Sequence, residues 1–570
     1  MARLNPSVLT VVLAAGLASA SAASAQIALP DAVETAPLST DAFSTGTLDR
    51  AEGALPTTLW DGSDAQTLEF LLLNMPARPS APSLGEVMKR TLLSPGSAPA
   101  EASSSLGGKK LLALARAGFV DDARTVASLS TAGRSDPWVG QAHAVGDLLD
   151  GNIAGACQRN ASLNTGRDNP FWVKLRILCY AQAGERDAAD LTLGVLRDQN
   201  GLSAADEAFL TAAVTGVAPK TPPAAETALQ YAIARKLDFP VMPGLLGQAD
   251  GGVLMAIAKD DVQDIATRVE AAQRAVAMGV MNSAMLAGLL DRVEFDVAEI
   301  AAARETAAEK AGDPLTDALL YQSVRAMNAP EFLRDKAQRV ALALSLADSF
   351  HRAYALSLLY ADDIAALEGA IMSPDEAAAF SLARMAIGDS VGAGQWLAAM
   401  IGQNAGVGAL PEAQALAFIE RVNLLAVLDP QTAIQIAGAA DVAILDSAQF
   451  RSSAALAHSD PDLTAQILDA AFDAAVDGKT GQAGLVALAA STGTEAGGDV
   501  ESVVISQSLR IAGMGELQRR YVFERAWAST FTGASEPEEA AAAPVEEAAA
   551  ETAEPEERGF TPRLKPRGTQ

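Results

Sequence analysis

The stretch NPFWVKLRILCYAQAGERDAADLTLGVL, residues 169–196, decides the fold class. Asn169 can accept from the free N–H groups of a first helical turn. Pro170 behind it loses nothing by lacking an N–H, because that donor would be unpaired there anyway. Phe171, Leu175, Leu178 and Cys179 then fall at i, i+4, i+7 and i+8, the spacing of one helical face. Gly184 interrupts the run, and Ala189, Thr192, Leu193 and Leu196 restart the same stripe. The segment predicts a helical hairpin with a glycine turn.

Outward from it, the hairpin recurs. Gly118, Gly151 and Gly184 are spaced by 33 residues, each followed five residues later by Ala123, Ala156 or Ala189. Pro137 and Pro170 share that offset, as do Trp138 and Phe171. A glycine turn, a small residue at a close crossing and a proline-capped start are what a stacked helix pair requires. The same cap pattern returns at Asp136-Pro137, Asp313-Pro314, Ser373-Pro374, Asp429-Pro430 and Asp460-Pro461.

On these residues, about 109–210, with an isolated echo at Gly388 and Ala393, the chain resembles the tetratricopeptide-type repeats, helix-turn-helix units of about 34 residues. It departs from the family at the Trp, Leu-Gly and Tyr positions of the first helix and in the spacing of Pro from Gly. The resemblance implies an all-α fold of stacked helical hairpins, an α-solenoid, and transfers no peptide-binding residue. After Pro219, Pro222 and Pro223 the register is lost.

Composition agrees with helices packed through small residues. The 570 residues are 49% hydrophobic but 5% aromatic, so Ala, Leu and Val supply the apolar surface. A net charge of -28 opposes nucleic acid and anionic lipid, which require basic patches. Three His and two Cys leave little for a metal site, and no cofactor is expected.

The expected organisation runs as follows. Residues 1–25 form a secretory signal, with Arg3 ahead of the apolar run Val8–Ala20 and cleavage after Ala23-Ser24-Ala25. Residues 26–56 form a linker, 57–108 a short helical segment and break, 109–220 the repeats, and 221–532 an irregular helical array. Residues 533–557 form an acidic Ala/Glu/Pro tether, expected to be disordered. A basic terminal motif, 558–570, closes the chain, and Arg558, Phe560, Arg563, Leu564, Lys565 and Arg567 are its docking candidates. No later run suits a transmembrane helix, so the expected compartment is the periplasm. A eukaryotic secreted origin would instead make Asn160-Ala161-Ser162 a glycosylation sequon.

Export bears on the two cysteines. Cys157 and Cys179 lie 22 residues apart on either side of the 164–170 turn, at equal height on antiparallel helices, so a disulfide is expected. No C-x-x-C redox motif is present.

Several motifs touch on catalysis. Gly388-Asp389-Ser390-Val391-Gly392 matches G-x-S-x-G, and His458 follows in hydrolase order. A nucleophile elbow needs a strand before the Ser, whereas 377–387 is a helical stripe, and no HGGG-type motif is present. Glu501-Ser502 is similar to the start of the lytic transglycosylase motif, without the Gly-Leu-Met-Gln-type segment that should follow. Gly107-Gly108-Lys109-Lys110 lacks the earlier Gly and the Ser/Thr of a P-loop. His143 and His351 are scattered. The expected function is an exported scaffold that binds a cell-envelope protein or peptide through its helical surface, rather than an enzyme. The alternatives are a glycan-acting enzyme with Glu501 as its acid, or a helical domain for a small ligand.

Overall fold

The computed structural model describes residues 41–532, apart from 104, 131–135, 200, 241–242, 328, 368–369, 371, 403–406, 443–460 and 492–498. Among the described residues there are 27 α-helices and no strand. None of these helices is long and apolar enough to cross a membrane. The expected signal, the expected acidic tether, Asp460, His458 and the expected terminal motif lie outside the described residues.

The caps form as their chemistry dictates. Asp136 accepts from the Trp138 N–H, Asn169 from Phe171, Asp313 from Leu315, and Asp429 from Gln431 and Thr432. Ser373 and Glu376 complete a reciprocal capping box. The repeat glycines hold left-handed backbone, with φ of 108° at Gly118, 76° at Gly151, 81° at Gly184 and 83° at Gly388. Ala123, Ala156, Ala189 and Ala393 are all buried.

Helices Ser105–Ala117, Val120–Leu129, Pro137–Leu149, Ile153–Ser162, Pro170–Ala183, Arg186–Asp198 and Ala204–Thr215 pack in sequence order. The inner side of these hairpins is not bare. After the proline-rich turn the chain comes back, and helix Ala228–Lys236 packs on Pro137–Leu149 while Gly251–Lys259 packs on Ser105–Ala117.

The N-terminal stretch expected to be a linker is packed from Asp41 onward. Phe43 is buried against Trp60, and the ammonium of fully buried Lys110 donates to the carbonyls of Phe43 and Thr45 at 2.8 and 2.7 Å. Burial lowers the Lys110 pKa to about 7, against the pull of Asp41. Gly107 and Gly108, beside it, sit inside a helix. A Cβ at Gly107 would meet Ala42 at 2.9 Å and one at Gly108 would meet Trp138 at 2.7 Å, so both glycines serve close helix packing.

The two ends of the described chain share one core. Helix Thr480–Ala490 packs on Ala65–Asn74 and Pro82–Leu93, and Gly515–Thr532 packs on Pro82–Leu93. Helix Pro82–Leu93 follows Ala81, which has no side chain to cap it. Its cap comes from 441 residues away, as Glu524 Oε2 accepts from Ser83 N at 2.9 Å and from Ser83 Oγ at 2.6 Å. Desolvation raises the pKa of this buried carboxyl, opposed by Arg520 and by the Ser83 bonds. A second buried network joins the middle helices. Asp317, with no exposed surface, accepts from both Arg352 Nε and a terminal Arg352 nitrogen at 2.8 Å, and from Gln273 at 2.6 Å.

Glu524→Ala leaves the Ser83 donors buried and unpaired, a loss of about 1–3 kcal/mol, whereas Glu524→Gln keeps an acceptor oxygen and recovers most of it. The expected signature is amide hydrogen exchange that speeds up together in 82–93 and 515–532, with the hairpins at 137–198 unaffected.

Candidate functional site

Between the hairpins and the returning helices lies a cleft of about 410 Å³. The repeat supplies its first wall. Trp138, Gln141, Val145 and Leu149 share one face of helix Pro137–Leu149, and the 33-residue offset carries Trp138 and Gln141 onto Phe171 and Lys174 of the next hairpin. Leu112 and Arg116 enter from helix Ser105–Ala117, and Leu73 forms part of the rim at 41% exposure. The returning chain closes the other side with Glu226, Leu229, Asp250 and Val253.

Helix N-termini converge here. Asn169, Ser203 and Thr227 line the cleft, yet each already accepts a first-turn N–H, from Phe171, Asp206 and Gln230 respectively. Asp250 caps no N–H of its helix with its side chain. Burial pushes the Asp250 pKa up to about 6; Arg116 and Arg78 pull it down, and Glu226 pushes the same way as burial. Asp206 behaves oppositely. Burial would raise its pKa, but hydrogen bonds from Lys174 at 2.5 Å and Gln230 at 2.9 Å outweigh that and lower it.

Gln141 is the cleft's exceptional polar group. It is 8% exposed, its Oε1 is buried without a partner, and its amide makes no hydrogen bond among the described residues. A buried carbonyl oxygen without a donor costs free energy unless something else supplies the missing bond. Over Trp138 lies the ammonium of Lys109, 5.4 Å from the ring centroid, and Lys109 is held in place by Glu69 at 2.5 Å.

Of the residues singled out in the sequence, the structure brings one pair together. Cys157 and Cys179 have sulfurs at 2.05 Å and Cα atoms at 5.5 Å. Asn160, of the sequon, is buried with its amide donating to the Trp172 carbonyl at 2.9 Å, which leaves no room for a glycan. Ser390 follows the helix Pro374–Ala386 and the Gly388 turn, and its hydroxyl donates to Asp429 at 3.0 Å. It is part of a helix cap and stands on no strand. Glu501 is 3% exposed and does not line the cleft. His143 and His351 belong to different helices, and burial, with Arg274 and Arg352 adding to it, takes the His351 pKa down to about 3. Among the described residues no group of three His, Cys, Asp or Glu could hold a metal ion.

Gln141, Glu226 and Asp250 carry no motif and were not marked by the sequence. The one available signal was the repeat itself, since the positions three after Trp138 and Phe171 share their face. No family model, no curated protein and no solved structure matches this chain.

The Cys157–Cys179 pair ties helix Ile153–Ser162 to Pro170–Ala183. Replacing both cysteines by Ala is expected to cost about 3 kcal/mol, the loop-closure value for a crosslink of this span. Limited proteolysis within 163–169 should accelerate in that variant, and equally in the wild type under reductant.

Proposed function

We propose that the chain is an exported binding scaffold of the cell envelope, with residues 109–220 stacked as a short tetratricopeptide-like solenoid. Its inner cleft takes a peptide segment of a partner protein, and its basic terminus docks a second contact. The observation that carries this reading is the cleft lined by Trp138, Leu112 and Phe171 with the unpaired Gln141 amide among them. Apolar walls with a few placed polar groups are the usual make-up of a ligand pocket. A peptide unit presents an N–H and a C=O together, which is what an amide with neither end paired can bind. The signal-like run at 1–25 and the cysteine pair favour an oxidising compartment such as the periplasm.

A photo-crosslinking residue placed at Leu73 on the cleft rim tests this in cells. A control at Leu191, 71% exposed on helix Arg186–Asp198 and outside the cleft, reports background. The expected result is one defined peptide segment captured at position 73 and absent at 191. Capture at neither position, or equal capture at both, overturns the cleft reading. A chain ending at Gly533 separates the two contacts, since capture at Leu73 should persist there while any partner held by the tail is lost.

A further inference from the structure

The charges of the cleft bear on which peptide it takes, an inference that rests on the peptide-binding reading. Three carboxylates and two cations line the cavity, and they are not equivalent. Asp206 is engaged by Lys174 and Gln230. Glu226 uses its backbone, its N–H donating to Gln230 and its carbonyl accepting from Asp250, while its carboxylate makes no hydrogen bond or ion pair among the described residues. Asp250 meets Arg116 only at 3.8 Å, and that guanidinium is itself 40% exposed. With the Gln141 Oε1, three acceptors on one cavity therefore lack a strong donor. The helix N-termini beside the cleft offer an anion nothing, being already capped by Asn169, Ser203 and Thr227, and the Arg116 guanidinium lies against Asp250.

We propose that the cleft seats the side chain of a lysine on the bound peptide, its ammonium shared by Glu226, Asp250 and Gln141 and its aliphatic stem against Trp138 and Leu112. An ammonium carries three donors and no acceptor, which matches three unfilled acceptors in number and sign. The methylene stem accounts for an apolar wall beside carboxylates, since long cationic side chains bury the stem and keep the head among polar groups. The charges facing Asp250 are Arg116 from helix Ser105–Ala117, Arg78 from the segment after Ala65–Asn74, and Glu226 from the turn before Ala228–Lys236. A bound ammonium favours the ionised form of Asp250. Binding therefore releases a proton below about pH 6, where the carboxyl of the free protein is still protonated. Affinity should rise with pH between 5 and 7 and level off above.

The test is calorimetric titration of the full chain with three probes, acetyl-Ala-Lys-Ala-amide and its norleucine and glutamate counterparts, at pH 5.5 and 7.5. The lysine peptide should bind about ten-fold or more tighter than the norleucine peptide at pH 7.5, as a charge-assisted hydrogen-bonded contact implies. That preference should shrink several-fold at pH 5.5. Glu226→Gln should remove most of it, and Asp250→Asn should remove its pH dependence. Equal binding of the lysine and norleucine peptides overturns the lysine seat and leaves the peptide reading standing. If no probe binds at about 10 mM, where even millimolar affinity would register, both proposals fall.

Discussion

The carboxylate of Glu524 at the start of helix Pro82–Leu93 is the contact that ties the two ends of the described chain together. A helix leaves its first N–H groups without partners, and a neighbouring side chain ordinarily supplies the acceptor. Ala81 and Pro82 cannot, so the Ser83 donors would be stranded in the core. Glu524 satisfies both of them, and a negative charge there also lies favourably against the helix dipole. The same helix fits tightly on its other side, where a Cβ at Gly85 would lie 1.9 Å from the Met278 carbonyl. One early helix thus has to be met by the last helix and by the middle of the chain in a fixed geometry. Its neighbours cannot be assembled independently of each other.

Buried charge recurs as the means of fixing that geometry. Lys110 draws the stretch at 43–45 onto helix Ser105–Ala117, and Arg352 with Asp317 joins three helices from the middle of the chain. Such groups are costly to bury and need hydrogen bonds or an opposite charge to offset that cost. Arg352 meets this demand through Asp317 and the carbonyls of Ala311 and Leu346. A core made mostly of Ala, Leu and Val has interchangeable apolar contacts, and a polar network with a unique set of partners selects one packing among them. Helices built from small residues therefore gain specificity from few positions.

What the sequence disclosed and what it withheld divide along the range of the interaction. Caps are local chemistry, so Asp136, Asn169, Ser373 and Asp429 were legible from their own neighbourhoods. The cysteine pair was legible as well, because hairpin register is arithmetic once the turn at 164–170 is placed. The packing of residues from Asp41 onward was not, since nothing near Phe43 announces that Lys110, 67 residues away, holds its carbonyl. Half of the cleft was visible in the repeat through Trp138 and Phe171. The other half comes from Glu226 and Asp250, on a chain that reverses after the register of the repeat has ended, and hydrophobic periodicity carries no information about where a returning helix lands.

Helix Ser105–Ala117 joins these elements, because its successive faces serve different masters. Lys110 points into the N-terminal stretch, Lys109 reaches Glu69 and the ring of Trp138, and Leu112 with Arg116 enters the cleft. The helix is buried along most of its length and packs against Ala65–Asn74, Pro137–Leu149 and Gly251–Lys259 at once. A displacement that loosened the 43–45 anchor would therefore move Arg116 relative to Asp250, and Lys109 relative to Trp138. The floor of the cleft and the tie at the start of the chain share one rigid element. The end-to-end core formed around Ser83 and Glu524 reaches that element through Thr480–Ala490 and Ala65–Asn74, so the closure of the fold and the floor of the cleft meet on one helix.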